Sequence, residues 1–168
     1  AFLRSPLEFS RVTSGFSTSR FHPLLKEWRA HKGIDYAAPL GTKIRATAGG
    51  TLVFAGTQGG YGNMVVLRHQ SAYSTVYGHL SAFAKGLHRG QKISQGDVIG
   101  YVGMTGLATG PHVHYEFRIN GVQHNPVRVA VPEGPAITAA LKPAFNNAVA
   151  PLQFQLDLAR GNNFAKLD

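Results

Sequence analysis

The chain has 168 residues, 43% of them hydrophobic, which suits one domain, or one domain with an appendage, around a buried core and excludes a disordered tail. Seventeen Lys and Arg against eight Asp and Glu give a formal net charge of +9, so the surface attracts polyanions such as nucleic acid, anionic lipid or acidic wall polymer. Cysteine is absent, which excludes disulfide frameworks and thiolate metal sites and leaves nitrogen and oxygen to hold any metal.

No apolar run approaches the roughly 20 residues that span a bilayer. The chain starts at Ala1 with neither an initiator Met nor a signal-peptide pattern, so a processed or trimmed piece is expected. The texture divides it into a lead-in over 1–11, a glycine-punctuated region over 12–131 and a helical extension over 132–168.

In the middle region short β-branched and aromatic runs predict strands at Thr51-Leu-Val-Phe-Ala55, Met64-Val-Val-Leu-Arg68, Ser74-Thr-Val-Tyr77, Val98-Ile-Gly-Tyr-Val102 and His114-Tyr-Glu-Phe-Arg118. Turn signals lie between them at Gly49-Gly50, Gly59-Gly60, Gln95-Gly96-Asp97 and Asn120-Gly121, the last favouring a tight hairpin. The fold class expected is mainly β, an antiparallel sheet, sandwich or barrel-like arrangement. Beyond Val131 the strand pattern stops. Alanine- and leucine-rich stretches broken by Pro143 and Pro151 predict two or three short helices packed on the main domain.

Five residues in this frame carry metal-site chemistry: His31 and Asp35 in H-K-G-I-D, His79 in Y-G-H-L, and His112 with His114 in H-V-H. On a strand, His112 and His114 project from one face about 6.5 to 7 Å apart, while Val113 and Tyr115 face the other way into a core. That spacing suits two ligands, or one ligand and a catalytic neighbour. Gly33 and Ile34 argue against a helical turn joining His31 to Asp35 and favour an extended or irregular segment. Three ligands of this kind leave a fourth tetrahedral position for a water whose pKa zinc lowers to about 7. No H-E-x-x-H motif supplies a glutamate base, which leaves imidazole as the natural substitute. Glu116, two residues past His114, is a candidate acceptor for a ligand imidazole. His69, His88 and His124 read as surface residues, and Tyr61 reads as a groove flank or a turn anchor.

His31-Lys-Gly-Ile-Asp35-Tyr-Ala-Ala-Pro-Leu-Gly41, Gly50-Thr-Leu-Val, Tyr61-Gly-Asn, Tyr77-Gly-His79-Leu, Gly96-Asp-Val-Ile-Gly and Thr105-Gly-Leu-Ala-Thr-Gly-Pro111-His-Val-His114-Tyr-Glu follow one another in an order that resembles the M23 family of zinc metallopeptidases, the lysostaphin or LytM type. The resemblance runs from about Val12 to Val129. It implies an antiparallel duplicated hybrid motif, one zinc ion, and cleavage of peptide stems in bacterial peptidoglycan. It further implies His31, Asp35 and His114 as metal ligands and His79 and His112 as catalytic histidines. Phe21-His-Pro23 resembles the Gram-negative subgroup, which implies D,D-endopeptidase action on D-Ala to diaminopimelate cross-links in the periplasm or cell envelope, and a cleft-lining place for His22. Glycyl-glycine cleavage is the alternative specificity. The family also implies N-terminal regulatory domains or partners.

Two readings of other classes stand beside the enzyme. One is a non-catalytic module that binds wall polymer or nucleic acid through the +9 charge. The basic residues are scattered, without a helix-turn-helix, zinc-finger or aromatic RNA-binding signature, so no nucleic acid partner is expected. The other is a closed structural zinc site with His112 as fourth ligand.

Overall fold

A computed structural model describes residues 2–8, 10–22, 27–70, 72–129 and 137–164, and the chain divides into two units, 1–133 and 134–168. In the first unit the described strands are β1 (Arg11–Ser14), β2 (Ser17–His22), β3 (Glu27–His31), β4 (Ile34–Ala37), β5 (Lys43–Arg45), β6 (Gly50–Gln58), β7 (Gly62–Arg68), β8 (Tyr73–Phe83), β9 (Lys92–Ile93), β10 (Val98–Val102), β11 (His112–Ile119) and β12 (Val122–His124). The five expected strands fall within β6, β7, β8, β10 and β11. Asn120 and Gly121, at φ 50° and 80°, close the β11–β12 hairpin, the left-handed pair that a two-residue turn needs.

All described pairings are antiparallel, in the order β1-β4-β11-β8-β7-β6-β9, with β12 on β11, and β10 joining β5 to β8. The central strand β8 changes partner along its length. Tyr73–Gly78 pairs with β11, whereas Leu80–Phe83 pairs with β10. A separate two-stranded sheet, β2–β3, leads directly into His31.

The period-2 alternation decides which face is which. On β11, Val113, Tyr115 and Phe117 are buried on the core side, and on β4, Ile34 and Tyr36 join them. Ile44, Leu52, Val65, Leu67, Leu80, Ile99 and Val102 belong to the same core and are themselves fully enclosed. At about 25 cal/mol per Å² of apolar area removed from water, that burial is the main stabilising term of the sheet. The opposite faces of β4 and β11 carry Asp35 and the row His112, His114, Glu116, Arg118.

Two expectations are corrected. The second unit holds one continuous helix, α1 (Lys142–Phe164), rather than two or three short ones. Pro143 lies in the first turn, where no backbone donor is needed, and an alanine-containing flank before Pro151 and a leucine-rich one after it carry the helix past the single bond that Pro151 removes. His69 is not a surface residue: it is 8% exposed, with Nδ1 2.8 Å from the Gly49 carbonyl and Nε2 2.8 Å from Thr75 Oγ1. His88 is exposed as expected, and His124 is half-buried. No described helix is long and apolar enough to cross a membrane.

Candidate metal centre and catalytic cleft

Asp35 and His114 are directly opposite on β4 and β11, where antiparallel pairing brings side chains of one face together. Asp35 Oδ1 lies 2.8 Å from His114 Nδ1 and 3.0 Å from His31 Nε2, and those two nitrogens are 3.2 Å apart. His31 reaches this point from the end of β3, across the Lys32–Gly33 link. That link passes so close to His114 that a Cβ on Gly33 would sit 2.5 Å from His114 Cε1, so only glycine fits.

All three side chains are buried to about the same degree, each residue 8% exposed. His31 Nδ1 is 2.8 Å from the Gly15 carbonyl, which can only accept, so the proton sits on Nδ1 and Nε2 turns a lone pair inward. A carboxylate oxygen and two imidazole nitrogens converging within 3.2 Å in a buried cleft fit a zinc ion, which takes N and O ligands. Burial alone would raise the Asp35 carboxyl, but the close approach of the His114 and His31 imidazoles overrides it and holds the group well below the usual carboxylate range. Burial opposes a charge on His114 too, and its contacts with Asp35 and Glu116 reverse that, raising it to about 9.

The other two histidines stand beside this cluster. His79, at φ 64°, occupies the point where β8 leaves β11 for β10, a left-handed conformation uncommon outside glycine. The change of direction aims its ring at the cleft. Its Nδ1 donates to the Thr105 carbonyl at 2.7 Å, leaving Nε2 as an acceptor. Burial lowers its pKa to about 4, so the ring is neutral at pH 7. His112 Nδ1 likewise donates to the Gly110 carbonyl at 2.8 Å, and its Nε2 is 3.8 Å from Asp35 Oδ1. The His79 and His112 ring centroids are 4.7 Å apart. All five residues singled out from the sequence therefore meet at one place.

They line an open cleft of about 660 Å³, whose walls include Thr13, Ser14, Tyr61, Leu107 and Thr109. Tyr61 is a wall of this cleft as well as the end of a 3₁₀ turn, Gly59–Tyr61. Its hydroxyl donates to Glu116 Oε1 at 2.7 Å, and burial, then Glu116, pushes its pKa up to about 12. The side chain of His22 lies outside the described residues. Sequence reasoning missed Thr105, Gly15 and Gly110, whose backbone carbonyls fix the imidazole tautomers, and a carbonyl leaves no side-chain signal. It also missed Arg118, although the alternation along β11 puts it in line with His114 and Glu116.

The profile of peptidase family M23 matches residues 29–126. The chain is similar to the DD-carboxypeptidase/endopeptidase Mpg of Neisseria meningitidis, 54% identical over 142 residues that make up 83% of this chain and 31% of that protein. Among solved structures, a zinc-containing peptidase from Vibrio cholerae superposes with a TM-score of 0.72 at 32% identity, over 79% of this chain and 41% of the other. The catalytic domain of a mutant of the prophage-encoded M23 protein EnpA from Enterococcus faecalis gives 0.64 at 34% identity, over 76% of this chain and 98% of that domain. The chain thus spans about a third of the length of the curated relative it matches and nearly the whole of an isolated catalytic domain. Sequence profile, fold and a donor set suited to zinc agree: the chain belongs to peptidase family M23, the zinc metallopeptidases.

Proposed function

We propose that this chain is the catalytic region of a zinc-dependent endopeptidase that hydrolyses D-Ala to diaminopimelate cross-links of bacterial peptidoglycan, acting in the cell envelope, in the periplasm. The supporting observation is the geometry of one cleft, in which a buried His, Asp, His cluster is flanked by two histidines that each donate Nδ1–H to a backbone carbonyl. His31 Nε2, Asp35 Oδ1 and His114 Nδ1 would hold the ion. The chemistry such an ion supplies is a water made acidic near neutral pH and a polarised scissile carbonyl.

His79 takes the proton from the attacking water, because its Nε2 is unprotonated at neutral pH and its ring orientation is locked by Thr105. His112 faces the same space, its ring centroid 4.7 Å from that of His79 and its Nε2 an acceptor, so it relays to the leaving amine the proton that His79 has taken. The peptide C–N bond breaks, water supplies OH to the carbonyl carbon, and the amine leaves with the proton. Preference for the diaminopimelate cross-link over glycyl-glycine is supported by the name of the meningococcal relative, a DD-carboxypeptidase/endopeptidase. The domain division is proposed as a lead-in over 1–11, the peptidase over 12–131 and a helical extension over 132–168, with regulatory domains or partners outside this sequence.

Purified sacculi of both chemistries test this reading. Digestion with the zinc-loaded chain should convert diaminopimelate cross-linked dimers to monomers, identified by mass, and leave pentaglycine bridges whole. His79→Ala and His112→Ala should each lose about 10²- to 10⁴-fold in rate while keeping one bound zinc. Full activity in both variants would contradict the assigned roles.

A further inference from the structure

A second layer of side chains lies behind His114. Glu116 is 2% exposed, yet it carries a carboxylate, and each of its oxygens is occupied. Oε1 is 3.2 Å from His114 Nε2 and accepts the Tyr61 hydroxyl at 2.7 Å; Oε2 accepts Arg118 Nε at 2.6 Å. The guanidinium also reaches the Tyr61 oxygen at 3.4 Å. His114, Glu116 and Arg118 are successive same-face residues of β11, so the strand itself sets their spacing. Tyr61 comes from a different element and closes the row from the cleft side.

We infer that Glu116, braced by Tyr61 and Arg118, is a positioning residue that holds the His114 ring with Nε2 protonated and Nδ1 turned toward Asp35 and His31. An ionised carboxylate accepts only, so His114 Nε2 must donate and Nδ1 is left as the metal-facing lone pair. Without that partner the buried ring is free to flip or to take its proton on Nδ1, and either event removes a ligand atom. A lone buried carboxylate would itself be costly, and the Arg118 guanidinium offsets it. Tyr61 fixes which oxygen faces the imidazole, and thereby ties the cleft wall to the metal cluster.

The inference rests on the zinc reading above, and the experiment separates the two. Zinc affinity of the 168-residue chain is measured by competition with a chromophoric chelator, alongside the visible spectrum of the cobalt-substituted protein. Wild type should bind one zinc; if it binds none, both readings fall. Glu116→Gln should bind zinc about 10- to 100-fold more weakly and shift the cobalt bands, because the amide turns an N–H toward Arg118 or toward His114. Tyr61→Phe, which removes one hydroxyl, should weaken zinc by a smaller factor and shift the bands in the same direction. Circular dichroism of the metal-free variants is the control, since a residue that only supports the fold would change unfolding and leave the cobalt spectrum of folded protein unaltered. Wild-type affinity and spectrum in Glu116→Gln overturn the inference, and if that variant does not fold, the same result in Tyr61→Phe does.

Discussion

Gly33 shows how one missing atom fixes the cluster. It separates His31 from Asp35 by the shortest route and lets the His114 ring lie against the backbone, where a Cβ would come within 2.5 Å of Cε1 and 2.7 Å of the Tyr115 carbonyl oxygen. Part of that obstruction is backbone and cannot swing away. Gly33→Ala should therefore displace His114, lowering stability by about 1 to 3 kcal/mol and weakening zinc at least as much as the loss of a buried partner does. Thermal unfolding and chelator competition measure the two effects; an alanine variant with wild-type values for both would mean that the His114 ring has room to move. At this scale the sequence was legible in its side chains and silent in its backbone. The five candidate residues stand in H-x-x-x-D, G-H and H-x-H, and the flanking motifs that resemble the M23 family are what single them out. The carbonyls of Gly15, Thr105 and Gly110 that set the tautomers depend on chain paths that no local pattern encodes.

The β-strands read from alternation where they are long and half-buried, as in β8 and β11, because burial of one face repeats at every second residue. Short strands such as β5 and β9 did not, since two or three residues owe their extended form to the partner strand. The same limit explains His69. Placed beside a turn, it looked solvated, yet it plugs the join between β6, β7 and β8 and begins a buried chain of hydroxyls through Thr75, Tyr77, Thr47 and Tyr115. Burial, partly opposed by the Gly49 carbonyl, lowers its pKa below the ordinary 6.5. The unfolded chain thus binds more protons than the folded one between 6.5 and the depressed value, and stability is lost as pH falls through that window. The slope is at most about 1.4 kcal/mol per pH unit for one group. His69→Gln, which cannot titrate, should flatten the fall in melting temperature below pH 6.5 relative to wild type. Parallel curves would show that His69 takes up its proton as readily in the folded chain as in the unfolded one, and would contradict the depressed pKa.

On the scale of the first unit, a ten-stranded antiparallel sheet separates two chemistries, with an apolar core under one face of β4 and β11 and the histidine-lined cleft over the other. The composition foretold the core, and the order of motifs along 12–129 foretold the family, because they pin residues from β3, β4, β8 and β11 to one point. The helical unit was legible only in kind, since proline reads as a stop while its cost depends on where in the helix it falls. A net charge of +9 suits approach to an anionic sacculus and says nothing about which bond is cut. The central claim is that His31, Asp35 and His114 make a single zinc site that hydrolyses a cross-link. Its most direct test is the rate of cleavage of a purified D-Ala to diaminopimelate cross-linked dimer as zinc is titrated into the chelator-stripped chain. The rate should rise from near zero and level off at one equivalent of zinc, and Asp35→Ala should abolish the rise. A rate independent of zinc, or a plateau reached only at two equivalents, would contradict the account.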